Sequence, residues 1–143
     1  LFGNSVGDSG AEALAALKHA SSLQILALDL RSNLVGDSGA QALAALKDAP
    51  LQNLALDLSG NSVGDDGAQA LAALKDAETL HTLSLRLYKN SIGDSGAEAL
   101  ATLKSAPSLR SLMIDLENNL VGGSGAQALA VLGNPSVDCQ IYY

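Results

Sequence analysis

The apolar positions of this chain follow a helical period and then a period of two, and this alternation recurs along the whole sequence. A phrase of the form Asn-x-(Val/Ile)-Gly-Asp-x-Gly-Ala-x-Ala-Leu begins at Asn4, Asn33, Asn61 and Asn90, and a copy with one change begins at Asn119. The starts are 28 or 29 residues apart. A regular period of this length is typical of a solenoid, in which one supersecondary unit stacks on copies of itself.

The first part of each repeat has the helical period. In the second repeat, Asp37 stands where a helix N-cap is expected, and its carboxylate is predicted to accept hydrogen bonds from the first free N–H groups of that helix. Leu43 and Leu46 lie among alanines, which are strong helix formers, and make a narrow apolar stripe. Lys47, in the last turn, faces the negative end of the helix dipole. The helix is predicted to end at Ala49-Pro50.

The second part of each repeat has a period of two. Leu54, Leu56 and Leu58 are therefore predicted to point to one side of a β-strand. Because a helix links each strand to the next, the strands must run parallel. The sequence predicts an α/β fold over residues 1–143, a single solenoid of about five repeats. Its curved parallel β-sheet is expected on the concave side and its helices on the convex side.

The pattern Leu-x-x-Leu-x-Leu-x-x-Asn-x-(Val/Leu)-Gly-Asp-x-Gly-Ala resembles the leucine-rich repeat, in particular the ribonuclease-inhibitor-like subclass with a helix in each repeat. The near-identical repeats are also similar to arrays of unicellular algae and other protists. In one departure from the family, Leu23, Leu26, Leu28 and Leu30 precede Asn33, so the strand side is longer by one alternation. The resemblance implies a structural ladder in which asparagine amides bond to loop backbone. The ladder residues are Asn33, Asn61, Asn90 and Asn119.

Between the core leucines of each strand, alternate residues point away from the core onto the predicted concave face. The column four residues before each asparagine reads Asp29, Asp57, Arg86 and Asp115. Adjacent aspartates repel one another, and on one interpretation Arg86 relieves this through exposed ion pairs worth only about 0–1 kcal/mol. On the other, Arg86 belongs to a partner-binding patch, because Arg and Tyr are enriched in interface hot spots. The candidates for that patch are Asp29, Asp57, Asp115, Arg86, Tyr88, Lys89 and Met113.

Both ends of the sequence depart from the repeat. Gly123 replaces the aspartate that is predicted to cap the helix, Gly133 replaces the helix-end lysine, and Asn134-Pro135 stops the helix. Residues 137–143 alternate like a last strand, so residues 133–143 are predicted to form a partial C-terminal cap. Tyr142 and Tyr143 lie on this last strand. They are further candidates, which either close the coil or bind a partner. The first residues lie inside a repeat and lack a capping pattern, which indicates a fragment of a longer array.

Composition and charge exclude several kinds of partner. The net charge is −7 and the 8 Lys+Arg residues are spread through the repeats. The sequence therefore lacks the basic patch of a nucleic-acid-binding protein, and an anionic membrane surface is disfavoured. No apolar run approaches the ~20 residues of a membrane span. The one cysteine, Cys139, excludes an intrachain disulfide and favours a reducing intracellular compartment, the cytosol or an organelle.

The sequence assembles no catalytic, metal or cofactor site. Gly-Asp-Ser-Gly occurs three times in register, but a protease triad would also need a histidine, and His19 and His81 occupy different repeat positions. The glycines before each helix lack a Gly-Lys-Ser/Thr, and the adjacent aspartate would repel a phosphate. The segment also lacks the carboxylate density of a calcium loop. The chain is predicted to be no enzyme and to need no cofactor.

Three functional hypotheses remain open. The first is a non-enzymatic scaffold that binds a protein partner through the concave face or the solenoid ends. The second is a peripheral structural subunit of a large assembly, organellar or membrane-associated assemblies included. The third is a GTPase-activating-type regulator, because some ribonuclease-inhibitor-like repeat proteins activate GTPases, and Arg86 is the arginine placed for that role.

Overall fold

Strands and helices alternate along the computed structural model, which describes residues 1, 3–131 and 138–143. The strands β1 to β5 span Ile25–Asp29, Asn53–Asp57, Thr82–Arg86, Ser111–Asp115 and Asp138–Tyr142. The α-helices α1 to α5 span Gly7–Ala15, Asp37–Ala44, Asp65–Leu71, Asp94–Ala101 and Gly123–Ala130. The first four helices continue into 3₁₀ segments, which span Ala16–His19, Ala45–Asp48, Ala72–Asp76 and Thr102–Ser105. The helix predicted to reach Lys47 is thus α-helical only to Ala44.

The strands form one parallel sheet in sequence order. The register places equivalent residues of successive repeats side by side, so that Leu56 pairs with Leu28 on one neighbour and with Leu85 on the other. This order follows from the short helical connection between consecutive strands, which brings each strand back beside the one before it. The predicted α/β solenoid is confirmed by this regular alternation.

The core lies between the sheet and the helices and is built mainly from leucine and alanine. Leu54, Leu56 and Leu58 are buried, as their period of two predicts. Full burial of a leucine side chain contributes about 1.5–3 kcal/mol. Small side chains let the helices pack closely, since Ala40 of α2 is fully buried and faces Gly67 of α3. The repeats are therefore joined both by the sheet and by helix–helix contact.

The asparagine side chains connect neighbouring repeats. The Asn61 amide donates to the carbonyl of Leu58 in its own repeat and to that of Leu30 in the preceding one, both at 2.9 Å. Its oxygen accepts from the backbone N–H groups of Asn33 and Val35, at 3.0 and 2.9 Å. A buried amide costs little when its donors and acceptor are all paired. Asn90 and Asn119 make the equivalent pair of amide bonds, whereas Asn33 donates to the carbonyls of Leu1 and Arg31.

The predicted capping of each helix by its own aspartate is wrong. Gly36, in extended conformation, is the N-cap residue of α2, and Asp37 is the first helical residue. A side chain at that position does not bond the first N–H groups of its own helix. The Asp37 carboxylate instead accepts from Gly64 N–H at 2.7 Å and Gly67 N–H at 2.9 Å, at the start of α3. The same pair of bonds links Asp8 to Gly36 and Gly39, Asp65 to Gly93 and Gly96, and Asp94 to Gly122 and Gly125.

The first and last helices show whether a helix is capped by the aspartate of its own repeat or by that of the preceding repeat. Helix α5 has Gly123 in place of its own aspartate, yet it keeps the usual glycine N-cap, Gly122, because Asp94 supplies the carboxylate. Helix α1 has its own aspartate, Asp8, but no described residue supplies it with a carboxylate, and its N-cap moves to Val6. The glycine N-cap therefore follows the aspartate of the preceding repeat. The interpretation of Gly123 as a lost cap of α5 is wrong for the same reason.

The C-terminal strand extends the sheet, while part of the predicted cap lies outside the described residues. β5 pairs with β4 in parallel, with Cys139 beside Leu112 and Ile141 beside Ile114. Gly133 and Asn134-Pro135 lie outside the described residues, as does Phe2. In the part of the chain that the structure describes, no helix is long and apolar enough to cross a membrane.

Candidate functional site

The open face of the sheet carries the residues that alternate with the core leucines. The register aligns Asp29, Asp57, Arg86 and Asp115 on adjacent strands, as their common offset from the asparagines indicates. It also places Tyr142 beside Asp115, in the same column. A parallel column runs through Ala27, Ala55, Ser84, Met113 and Gln140. The structure thus brings most of the candidate residues onto one surface.

Arg31 was not among the candidates from the sequence, yet it binds carboxylates at one edge of this surface. Its guanidinium donates two hydrogen bonds to the Asp29 carboxylate, from Nε at 2.9 Å and from NH2 at 2.6 Å. These bonds lower the pKa of Asp29 from 3.8 to about 2. The signal in the sequence is that Arg31 occupies, two residues before Asn33, a column that otherwise holds Ser59, Tyr88 and other uncharged or acidic residues.

Asp57 lies between two guanidinium groups and is largely covered, since 15% of its side chain is exposed. Its carboxylate is 3.6 Å from Arg31 Nε and 3.7 Å from Arg86 NH1. It also accepts hydrogen bonds from the Ser59 hydroxyl at 2.7 Å and the Ser59 N–H at 3.2 Å. Arg86 therefore does face an aspartate of the neighbouring strand, but at a distance longer than a hydrogen bond.

A cavity of about 710 Å³ opens where β2, β3 and β4 end. The cavity is lined by Arg31, Ser32, Asp57, Ser59, Gly60, Asn61, Arg86, Tyr88, Lys89, Asn90 and Asp115. It brings together Arg86, Tyr88 and Lys89 with two aspartates of the candidate patch. Asp29 lines a smaller neighbouring cavity of about 250 Å³. We call the larger cavity, with these lining residues, the end groove.

Two groups of candidates lie apart from the end groove. Met113 is on the open sheet face, where its sulfur is 3.8 Å from the Ser84 hydroxyl. Tyr142 and Tyr143, on and after β5, are about half exposed.

Lys89 has an unusual backbone conformation at the rim of the end groove. Its φ is +54°, in the left-handed region that side chains with a Cβ disfavour. The equivalent positions have the same conformation and are occupied by Ser32, Gly60 and Asn118. Glycine and asparagine accept this region at little cost. The backbone therefore does not explain why this position holds a lysine.

The described residues contain no group of three or more His, Cys, Asp or Glu side chains arranged to hold a metal ion. Cys139 is half-buried on β5.

Comparisons with known proteins show a family and a shared fold. A family model described as "Leucine Rich repeat" matches residues 1–15, 23–44, 54–72 and 78–101. A search of curated proteins found no match. Among solved structures, "Leiomodin-1 Actin-Binding Site 2 (ABS2)" is similar with a TM-score of 0.67 and 18% identity, over 93% of this chain and 78% of that chain.

Proposed function

Because the chain belongs to the leucine-rich repeat family, we propose that it is a non-enzymatic scaffold that binds a protein partner on the open face of its sheet. The observation that carries the proposal is the end groove, in which Arg86, Tyr88 and Lys89 line one cavity of about 710 Å³. Tyr88 is 39% exposed there. Tyrosine and arginine together are the side chains that most often dominate the binding energy of an interface.

The comparisons support the class of function rather than a named partner. The similar solved structure carries the name of an actin-binding site, so it is one example of this fold in a protein that binds another protein. At 18% identity it is a guide to the fold alone, and actin is not proposed as the partner here. The helix in every described repeat supports assignment to the ribonuclease-inhibitor-like subclass.

The proposal is tested by asking which face of the protein touches a partner. A photo-crosslinking amino acid is placed at Ser59, which lines the end groove, or at Gln69, which is exposed on helix α3. Each variant is irradiated in an extract of the cells that make the protein, and crosslinked proteins are identified by mass spectrometry. We expect a discrete partner from position 59 whose yield falls when Tyr88 is changed to Ala. The same partner captured equally well from position 69 would contradict binding through the sheet face.

A further inference from the structure

We infer that the end groove selects an acidic segment of its protein partner, with an Asp or Glu side chain of that segment held by Arg86 and Lys89. This inference rests on the proposed function and adds the chemistry of the partner to it.

The end groove gathers cations in an acidic protein. Three of the eight Lys and Arg residues of the chain line it, namely Arg31, Arg86 and Lys89, together with the carboxylates of Asp57 and Asp115. Asp29, which holds the Arg31 guanidinium, brings these charges into balance. The chain as a whole carries a net charge of −7. An acidic segment is therefore repelled less at this groove than by the average surface of the protein, and Arg86 and Lys89 offer it local partners.

The cations of the groove differ in how far their donors are already used. Arg31 donates twice to Asp29 at 2.6 and 2.9 Å, so it is held by its own protein. Arg86 has 57% of its side chain exposed, and its NH1 lies 3.7 Å from Asp57. Lys89 takes part in no ion pair with the residues that the structure describes. Arg86 and Lys89 thus present N–H donors toward the cavity that a partner carboxylate can accept.

The carboxylates of the groove do not cancel these two cations. Asp57 accepts two hydrogen bonds from Ser59 and lies 3.6 Å from Arg31 Nε, so Arg86, at 3.7 Å, is not its sole counter-charge. Asp115 lies on the next strand, close in sequence to Glu117, whose N–H it accepts. These two acids make the β4 side unfavourable for an anion. The acidic residue of the partner is therefore expected over β2 and β3, beside Arg86 and Lys89.

The backbone of Lys89 supports a role beyond folding. Its left-handed conformation favours glycine or asparagine, which occupy equivalent positions at Gly60 and Asn118, whereas Ser32 occupies a third. A lysine there supplies a charge at the rim of the groove at some cost in stability. Lys89→Asn, which copies Asn118, is therefore a variant that removes the charge without endangering the fold.

The test measures binding of synthetic peptides to the full chain by fluorescence anisotropy. Three labelled probes of equal length share one sequence except at alternate positions, which hold Glu, Gln or Lys. We expect the Glu probe to bind, and to bind more weakly when the ionic strength is raised from about 50 to about 500 mM. Lys89→Asn and Arg86→Gln should each weaken it roughly two- to fivefold, the range of an exposed ion pair. Lys104→Gln, which removes the same charge from an exposed position after α4, should change it by less than about 1.5-fold.

The outcomes separate this inference from the proposed function. Failure of the Glu probe to bind, or equal weakening by Lys104→Gln, overturns the selection of acidic segments. If the Gln or Lys probe binds instead and is lost on Tyr88→Ala, the groove is a docking site and only its preference for acids is wrong. If the crosslinking experiment finds its partner on the helical face, the proposed function fails whatever the peptides do. A thermal melt of Lys89→Asn at or above that of the unaltered chain excludes misfolding as the cause of weaker binding.

Discussion

Replacing Asp65 with alanine should weaken the start of α4, the helix of the following repeat, more than the start of α3, the helix that contains Asp65. The Asp65 carboxylate accepts from the N–H groups of Gly93 at 2.7 Å and of Gly96 at 2.9 Å. Loss of an N-cap acceptor costs about 0.5–2 kcal/mol, and hydrogen bonds to a charged group contribute about 1.5–3 kcal/mol. We therefore expect a loss of about 2–3 kcal/mol in the free energy of unfolding.

The neighbouring aspartate provides a matched control. Asp66 is an exposed carboxylate in the same first turn of α3, so its removal changes the charge near the helix dipole in the same way. Asp66→Ala should cost less than about 0.5 kcal/mol, as surface substitutions usually do. Asp65→Asn keeps the acceptor oxygen and loses the charge, so its cost should fall between those of the two alanine variants.

Two measurements test whether Asp65 caps α4 and not α3. Urea denaturation followed by circular dichroism gives the midpoint for each variant, and an unchanged slope shows that the same surface unfolds. Amide hydrogen exchange locates the damage, and protection should fall at Gly93 and Gly96 rather than in α3. Equal midpoints for Asp65→Ala and Asp66→Ala, or a loss of protection confined to α3, would refute the capping of one repeat by the previous one.

Three further predictions use the same urea and acid titrations. Asn61→Ala should destabilise the fold by about 1–3 kcal/mol, because it leaves buried backbone groups unpaired; a change near zero would contradict a ladder role. Gly67→Ala should cost about 1–3 kcal/mol, since its Cβ would lie 2.6 Å from Asp37 Oδ1, whereas Gly123→Ala, with no atom within 4 Å of the new Cβ, should be neutral or stabilising. Hydrogen bonds from Ser124, Gly122 and Gly125 lower the pKa of Asp94. Its contribution is therefore present above the ordinary aspartate pKa and lost as the pH falls through the lowered value, so Asp94→Asn should reduce the acid sensitivity of unfolding.

The architecture could be predicted from the sequence because each element has its own apolar period. Leu54 and Leu56 mark β2, and the Ala/Leu run after Asp37 marks α2, whose observed start is that residue. The parallel direction follows from the helix between strands. The change from α-helix to a 3₁₀ segment at Ala45 was not predicted, since the composition of the two parts is the same.

The partner of each aspartate could not be read from the sequence. In a periodic chain, a bond within one repeat and a bond to the next repeat leave the same pattern of residues. Only the ends remove this ambiguity, because α1 has no preceding aspartate among the described residues and α5 has Gly123 in place of its own aspartate. The local rule for N-caps therefore identified the right residue type and assigned it to the wrong helix.

Part of the candidate site could be predicted from the sequence and part could not. The common offset of Asp57 and Arg86 from their asparagines is enough to place them side by side. Arg31 was missed because its importance lies in its rotamer, which brings it to Asp29 and Asp57 on two strands at once. Side-chain direction of this kind depends on neighbours in space rather than on sequence period.

Each aspartate carboxylate bonds to the helix of the next repeat, so the caps can form in order from the N-terminal side. Helices α2 to α5 each take the usual start geometry from a carboxylate that lies earlier in the sequence, as α2 takes it from Asp8 and α3 from Asp37. A ribosome releases the chain in that same order, and domains begin to fold from the N-terminal side during synthesis. Each of these four helices therefore emerges when its acceptor has already been made. We expect nascent chains from which residues up to Asp76 have left the ribosome to hold a formed α3, because its cap is complete before the next repeat has emerged.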